Sequence, residues 1–133
     1  MLKPTKHART NFRMVSPYLS PLTETNPHRR IENARYMPLS LEYLYTKNDG
    51  RQVYSMTHYG NQNGDLMADP DMTFAVDFMA GTVEPLTWQN DYIGRYDQVY
   101  SSDGTRYSPY LRTSLDDFLW HWLQNIQAQG FRP

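Results

Sequence analysis

The chain has 133 residues, enough for one domain with a single hydrophobic core. It contains no cysteine, which excludes disulfide scaffolds, thiolate metal sites and cysteine nucleophiles. No apolar run approaches the roughly 18 residues that a membrane-spanning helix needs, so we expect a cytoplasmic protein without membrane contact. Aromatic residues make up 14% of the chain, and this content favours a folded domain over disorder.

The net charge of −1 hides an asymmetry between the two parts of the chain. Residues 1–35 carry seven basic and two acidic side chains, whereas residues 36–133 carry six basic and twelve acidic ones. A basic segment of this kind either lies on the acidic remainder of its own chain or binds nucleic acid. The candidate nucleic-acid contacts are six of its basic side chains: Lys3, Lys6, Arg9, Arg13, Arg29 and Arg30.

Residues 1–30 are predicted to form a basic arm that contains one short helix. Apolar side chains there recur at spacings of three and four, which is typical of a helix over residues 9–20. Pro17 is expected to end or kink that helix. The remainder of the arm, through Arg30, is predicted to be a loop because prolines punctuate it.

Period-two alternation follows and predicts a β-hairpin. One face of the first strand, residues 37–45, carries four large side chains: Leu39, Leu41, Tyr43 and Tyr45. The Asp49-Gly50 pair supplies the positive φ of a tight hairpin turn. The second strand is predicted over residues 51–59. A third strand is predicted over residues 72–79, because every second side chain there is large and apolar.

The C-terminal segment has the most regular helical pattern. Six large apolar side chains form one stripe: Leu115, Phe118, Leu119, Trp122, Leu123 and Ile126. Thr113 or Ser114 is predicted to cap the first turn, and Gly130 the last one. Trp120 falls on the opposite face, where the N-terminal segment either covers it or leaves it exposed as a partner surface.

Two segments between these elements complete the predicted fold. Residues 82–91 contain Pro85 and are predicted to form an edge strand or a loop. A fourth strand is predicted over residues 91–100, with a bulge or a close approach of another backbone at Gly94. We therefore predict an α+β domain over residues 31–133. It consists of a single antiparallel sheet of about four strands in a meander, with the C-terminal amphipathic helix packed on one face and a short N-terminal helix.

Residues 60–70 are predicted to be a loop, since they are dense in turn-forming residues and carboxylates. The candidate binding residues lie in and around it: His58, Tyr59, Asn63, Asp65, Asp69 and Asp71, with Trp120 as a further candidate. Alternating oxygen ligands suit a hard cation, but their spacing does not match an EF-hand. Turn formation is the favoured role of these aspartates, and we predict no catalytic residue, no metal site and no cofactor.

The same region contains the pattern HY-x2-QNGDLM-x-DP-x-M-x-F, which begins at His58. This pattern resembles an uncharacterised domain family whose members are found in proteins of bacterial plasmids, conjugative elements and phages. The resemblance extends over residues 36–125 and implies an accessory protein of a mobile genetic element. It implies no established activity and no catalytic residues, and residues 1–30 lie outside it.

Two classes of function compete. The first is a non-enzymatic accessory protein that acts by protein–protein interaction, such as an inhibitor of a host defence system of the anti-CRISPR or anti-restriction type. The second is a protein that binds nucleic acid, or processes it with a metal, through the basic N-terminal arm. The sequence contains no Gly-x-Ser-x-Gly elbow and no phosphate-binding loop, which favours the first class.

Overall fold

The computed structural model describes residues 2–133, in which six strands form one antiparallel sheet and two helices cover one of its faces. The helices are α1 (Ala8–Leu19) and α2 (Pro109–Ala128). The strands, which pair in chain order, are β1 (His28–Asn33), β2 (Tyr36–Thr46), β3 (Gln52–Gln62), β4 (Asp65–Asp77), β5 (Thr82–Asn90) and β6 (Arg95–Gln98). The α+β class, the single antiparallel sheet and both helices are confirmed. The predicted number of about four strands is wrong, because the sheet has six.

Met1, the first residue of the predicted arm, lies outside the described residues. Within residues 2–133, no helix is long and apolar enough to cross a membrane. The hydrophobic core lies between the sheet and the two helices, where Leu41 and Phe74 from the strands meet Leu19 of α1 and Leu119 of α2. Because α1 fills this shared core, its removal would expose the core to water. The predicted division of the chain at residue 30 stays a prediction.

β1 lies in a segment for which the sequence predicts a loop. Its residues Arg29 and Ile31 pair with Leu41 and Leu39 of β2. The guanidinium of Arg29 donates to the main-chain carbonyl of Tyr18 (3.1 Å), near the end of α1. The loop prediction holds for residues 20–27 and is wrong from His28, because charged side chains occupy both faces of this edge strand and hide its alternation.

β5 lies between β4 and β6, although Pro85 predicts an edge strand or a loop. Phe74 of β4 pairs with Pro85. The preceding residue, Thr73, pairs with Thr87, which leaves Leu86 as the inserted residue of a β-bulge. Strands tolerate proline at bulges because the ladder of hydrogen bonds is interrupted there. The edge-or-loop prediction is therefore wrong for residues 87–90, which pair with β6, whereas residues 82–86, including Pro85, have no paired residue in β6.

Residues 60–70 form the end of a long hairpin, which makes the loop prediction wrong. β3 continues through Gln62 and β4 begins at Asp65, so that the turn consists of Asn63 and Gly64. Their φ angles are 54° and 91°, and a type I′ turn requires positive values at both positions. The strand pattern escapes detection because the side chains at this tip are exposed on both faces of the hairpin.

The segment after β5 also differs from its prediction. Residues 91–94 form a turn in which Gly94 has a φ of 63°, and β6 begins only at Arg95. The strand predicted over residues 91–100 is therefore wrong in its first half. The glycine serves the turn between two strands and makes no bulge inside one.

α2 begins before its apolar stripe. Ser108 is the N-cap, because its side-chain oxygen accepts a hydrogen bond from the Leu111 amide (3.2 Å). Pro109 occupies the first helical position, where its missing N–H costs no hydrogen bond. The predicted caps, Thr113 and Ser114, are wrong because both residues lie inside the helix. The helix ends as predicted, at a glycine with a φ of 87°.

Candidate functional site

The sheet face opposite the two helices, here called the open face, contains a groove. Two adjoining hollows of about 600 Å³ and about 270 Å³ share Tyr45, Thr73 and Thr87 and together form this open-face groove. The smaller hollow, called the Asp71 end, is further lined by Leu44, Val53, Asp71, Gln89 and Tyr96.

Strand register brings the polar side chains of the groove together. Asp71 and Thr73 of β4 pair with Gln89 and Thr87 of β5. Gln89 also pairs with Tyr96 of β6. Directly paired residues of an antiparallel ladder place their side chains on the same face, so these five residues form a continuous strip. The hydroxyls of Thr73 and Thr87 hydrogen-bond to each other (2.6 Å).

A bulge in β2 adds an aromatic side chain to this strip. Tyr43 pairs with Tyr54 on the helix-covered face, whereas Tyr45 pairs with Val53, so that Leu44 is an inserted residue. An insertion reverses the side-chain alternation and turns Tyr45 onto the open face, where its exposed fraction is 52%. The prediction that Tyr45 shares a face with Tyr43 is therefore wrong.

Asp71 has an unusual environment at its end of the groove. Its Oδ1 atom is buried and has no hydrogen-bond partner among the described residues. Burial raises the pKa of Asp71 above its ordinary value; the Thr57 hydroxyl opposes this rise, and the charges of Asp91 and Glu42 add to it. Within residues 2–133, no salt bridge involves any of these three carboxylates. Among the described residues, the Asp71 end therefore has no basic side chain paired with its carboxylate.

The larger hollow ends at a compensated charge cluster. Arg51 and Arg112 donate to the two carboxylate oxygens of Glu84 at 2.8 Å and 2.6 Å, and the Tyr100 hydroxyl donates as well. Burial alone would raise the pKa of Glu84, but these three hydrogen bonds outweigh it and lower the pKa. Burial and the neighbouring Glu84 carboxylate raise the pKa of Tyr100 to about 12. This cluster ties β3 and β5 to the start of α2.

The structure places His58 away from the groove. Its imidazole lies on the helix-covered side, with its ring centroid 5.5 Å from that of Trp122 and 5.4 Å from that of Phe131. Nδ1 lies 3.3 Å from the carbonyl oxygen of Pro38. Burial lowers the pKa of His58, while the carbonyls of Pro38 and Met37 oppose that effect. His58 is thus a neutral core residue.

The other residues of the predicted surface are separated as well. Asn63 and Asp65 lie at the exposed tip of the β3–β4 hairpin. Asp69 accepts a hydrogen bond from the Asn90 side chain (2.6 Å). Tyr59 lies half-buried on the open face, two residues along β3 from the partner of Asp71. Of the candidate binding residues in this run, the open face therefore carries Tyr59 and Asp71.

Trp120 is covered by the N-terminal segment. Its ring stacks on that of His7, with the centroids 4.5 Å apart and the planes 9° apart. Asp116, four residues before Trp120 on α2, holds the same segment. Its carboxylate accepts hydrogen bonds from the Thr5 hydroxyl (2.6 Å) and the His7 main-chain amide (2.9 Å). His7 also pairs with Asp117 (3.0 Å). We call this cluster the N-terminal clamp.

The clamp brings three side chains of metal-ligating types close together, one histidine and two aspartates. Atoms of His7, Asp116 and Asp117 lie within 4.8 Å of one another. Both oxygens of Asp116 already accept hydrogen bonds, and the residue is only 1% exposed. The arrangement therefore holds the N-terminal segment on α2. Sequence reasoning missed it because its contacts join residues 111 and 109 positions apart in the chain.

Several of the six candidate nucleic-acid contacts bond to other groups of the fold. Arg29 donates to a carbonyl at the end of α1 and Arg30 pairs with Glu32 (3.3 Å). Arg9 donates to the carbonyl of Ala80 (3.3 Å). The remaining three are exposed on the N-terminal segment and α1: Lys3, Lys6 and Arg13. Binding of nucleic acid by these residues stays a prediction.

A family model described as Domain of unknown function (DUF6908) matches residues 14–132. The chain belongs to this family. The prediction of an uncharacterised domain family is confirmed, and the match begins well before residue 36, inside α1. Occurrence on plasmids, conjugative elements and phages stays a prediction. No curated protein and no solved structure matches the chain.

Proposed function

We propose that this protein is a non-enzymatic binding module that holds a protein partner in its open-face groove. The observation that carries the proposal is the position of the two helices. Both cover the same face of the sheet, so the opposite face keeps an accessible groove built from five strands, β2 to β6. A curved, solvent-facing sheet surface of this kind is suited to receiving an extended or convex segment of a second chain.

The side chains of the groove support a protein partner. Tyr45 and Tyr96 have exposed fractions of 52% and 56%, and tyrosine is enriched at protein interfaces because it buries a large, stiff surface and keeps a polar tip. Thr73, Thr87 and Gln89 between them offer hydrogen-bonding groups for a polar chain. Such a mixture of aromatic and small polar contacts is typical of transient protein interfaces.

The charge around the Asp71 end supports a protein over a nucleic acid. Asp71 lines the smaller hollow, Asp91 and Glu42 act on it with the same sign of charge, and none of the three forms a salt bridge among the described residues. A phosphate backbone would be repelled by these carboxylates, whereas a basic protein surface would be attracted.

The biological setting belongs to this proposal too. A host protein or one encoded by a mobile element is the expected partner, and inhibition of a host defence system is the expected consequence of binding. Location in the cytoplasm is part of the same expectation. These points rest on the resemblance described above and stay predictions.

A capture experiment with the purified protein tests the proposal. The bait is incubated with lysate of a bacterial host, with and without nuclease, and captured proteins are identified by mass spectrometry. We expect a captured partner whose amount does not change with nuclease treatment. The amount captured should fall at least tenfold when Tyr45→Ala and Tyr96→Ala are combined, since aromatic anchors dominate interfaces.

A matched control removes a tyrosine outside the groove. Tyr110 on α2 is 78% exposed and lines neither hollow, so Tyr110→Ala should leave capture unchanged. Capture that disappears with nuclease treatment would favour the nucleic-acid alternative. Capture that the double tyrosine variant leaves intact, while its melting temperature is unchanged, would show that the groove is not the interface.

A further inference from the structure

We infer that the Asp71 end of the open-face groove is a binding pocket for an arginine side chain of the protein partner. This inference rests on the proposed function, because it names the anchor of the segment that the groove receives. The pocket of about 270 Å³ is lined by a carboxylate, by hydroxyl and amide groups and by two aromatic rings.

The first argument is the unsatisfied carboxylate. The Oδ1 atom of Asp71 is buried without a hydrogen-bond partner, and buried polar groups in folded proteins are almost always partnered. The groups that pair with Asp71 along the strands, Thr57 and Gln89, are uncharged. Asp71 lines the hollow, so a cationic donor that enters it would give this carboxylate a charge-assisted hydrogen bond.

The second argument is the shape and chemistry of the walls. Tyr45 and Tyr96 line the pocket beside Asp71, and both are more than half exposed. A guanidinium stacks on aromatic rings while its edge donates hydrogen bonds. Thr73 and Gln89 provide further acceptor oxygens in the same hollow. An arginine can use all of these contacts at once, whereas a lysine ammonium is a compact point charge that cannot stack in this way.

The third argument is the surrounding charge. Asp91 and Glu42 act on Asp71 with the same sign, and each raises the cost of holding a third carboxylate ionised there. A bound cation relieves that repulsion, so the site selects for positive charge. Among residues 2–133, the close grouping of metal-ligand atoms is the N-terminal clamp, and none of its members lines the pocket. The occupant we assign is therefore a side chain.

Titration with short peptides followed by NMR tests the inference. The probes are acetyl-Gly-Arg-Gly-amide and two peptides in which lysine or citrulline replaces the arginine. Amide signals of Thr73 and Thr87 report on the groove. We expect saturable binding of the arginine peptide at about millimolar concentration, at least threefold weaker binding of the lysine peptide, and none of the uncharged citrulline peptide.

Two matched variants locate the binding. Asp71→Asn keeps the shape of the side chain and should weaken binding of the arginine peptide by at least tenfold. Asp65→Asn removes an exposed carboxylate at the hairpin tip and should leave it unchanged. Denaturant unfolding of both variants shows that each is folded. Three results would overturn the inference: the arginine peptide binds Asp71→Asn as tightly as the parent protein, the citrulline peptide binds as tightly as the arginine peptide, or the signal changes are confined to residues outside the groove. Equal affinity for the lysine and arginine peptides would overturn the choice of arginine.

The outcome separates this inference from the proposed function. If the peptide does not bind at Asp71 but the double tyrosine variant still releases the captured partner, docking in the groove stands and the arginine anchor is wrong. If the double tyrosine variant leaves capture intact, the proposed docking is wrong whatever the peptide does. Support for both requires that Asp71→Asn also weakens capture of the partner.

Discussion

Two titratable side chains on neighbouring strands are buried on opposite faces of the same sheet. His58 of β3 lies against the aromatic rings of the core, and Asp71 of β4 lies on the open face. Burial disfavours the charged form of both, so it lowers the pKa of the histidine and raises that of the aspartate. The lowered pKa of His58 leads to a prediction about stability, and the raised pKa of Asp71 concerns the proposed binding site.

We predict that His58 makes the protein less stable in mild acid. Its folded-state pKa is lower than its unfolded value of about 6.5, so the unfolded chain binds more protons in the window between the two. The free energy of unfolding should therefore be constant above that window and fall as the pH decreases through it. Denaturant titrations between about pH 8 and about pH 5 measure this slope.

The variant His58→Gln should flatten the slope, because glutamine does not titrate. His121 on α2 is exposed, and His121→Gln should retain the slope of the parent protein. Equal slopes for all three proteins would contradict the assignment of a neutral, buried His58.

At the scale of single elements, α2 makes the next prediction. Ser108 caps this helix, whereas Ser114 lies inside it. Ser108→Ala should lower the free energy of unfolding by about 1 kcal/mol, since the Leu111 amide loses its acceptor. Ser114→Ala should change it by less than about 0.5 kcal/mol, because alanine is a better helix former at an exposed interior position. Chemical denaturation at neutral pH measures both, and the reverse order of costs would restore the cap expected from the sequence.

The elements that the sequence predicts well have uninterrupted patterns. The stripe of α2 repeats over three turns, and the Asp49-Gly50 pair marks the β2–β3 turn, so local spacing alone is informative. The elements that it misses carry competing signals. Pro85 argues against a central strand, and the arginines of β1 hide its alternation. Each is accommodated by a tertiary feature, a bulge or an edge position, that short-range patterns do not encode.

The candidate site was only partly predictable for the same reason. Asp71 was singled out because it lies in a carboxylate-rich run, and the structure places it in the groove. Its neighbours there come also from β2, β3, β5 and β6, and the bulge at Leu44 turns Tyr45 towards it. These relations depend on register between strands far apart in sequence. The candidates His58 and Asp65 lie near Asp71 along the chain and face elsewhere in the fold.

At the scale of the whole molecule, the N-terminal clamp joins the two ends of the chain. The Asp116 carboxylate accepts hydrogen bonds from Thr5 and His7, and also from the side-chain Nδ2 of the buried Asn11 (3.4 Å). Asp116→Ala should lower the free energy of unfolding by about 3 kcal/mol, since it leaves buried donors without an acceptor. It should also speed tryptic cleavage after Lys6 by releasing the segment. Urea unfolding and timed proteolysis measure these two effects.

The neighbouring carboxylate provides the control for this prediction. Asp117 has a side-chain exposed fraction of 52% and touches only His7 through a salt bridge. Asp117→Asn should cost less than about 1 kcal/mol, because exposed ion pairs contribute little. If both variants cost the same, Asp116 would not be the residue that holds the segment.

The two outermost strands of the sheet have a consequence for self-association. β6 is only four residues long and contains a salt bridge between Arg95 and Asp97 (3.0 Å), while β1 at the other margin carries Arg29, Arg30 and Glu32. Short, charged margins discourage a second molecule from adding its own strand. Concentrated solutions should therefore stay free of fibrils. A partner chain is left with the open face of the sheet, where Asp71 lies.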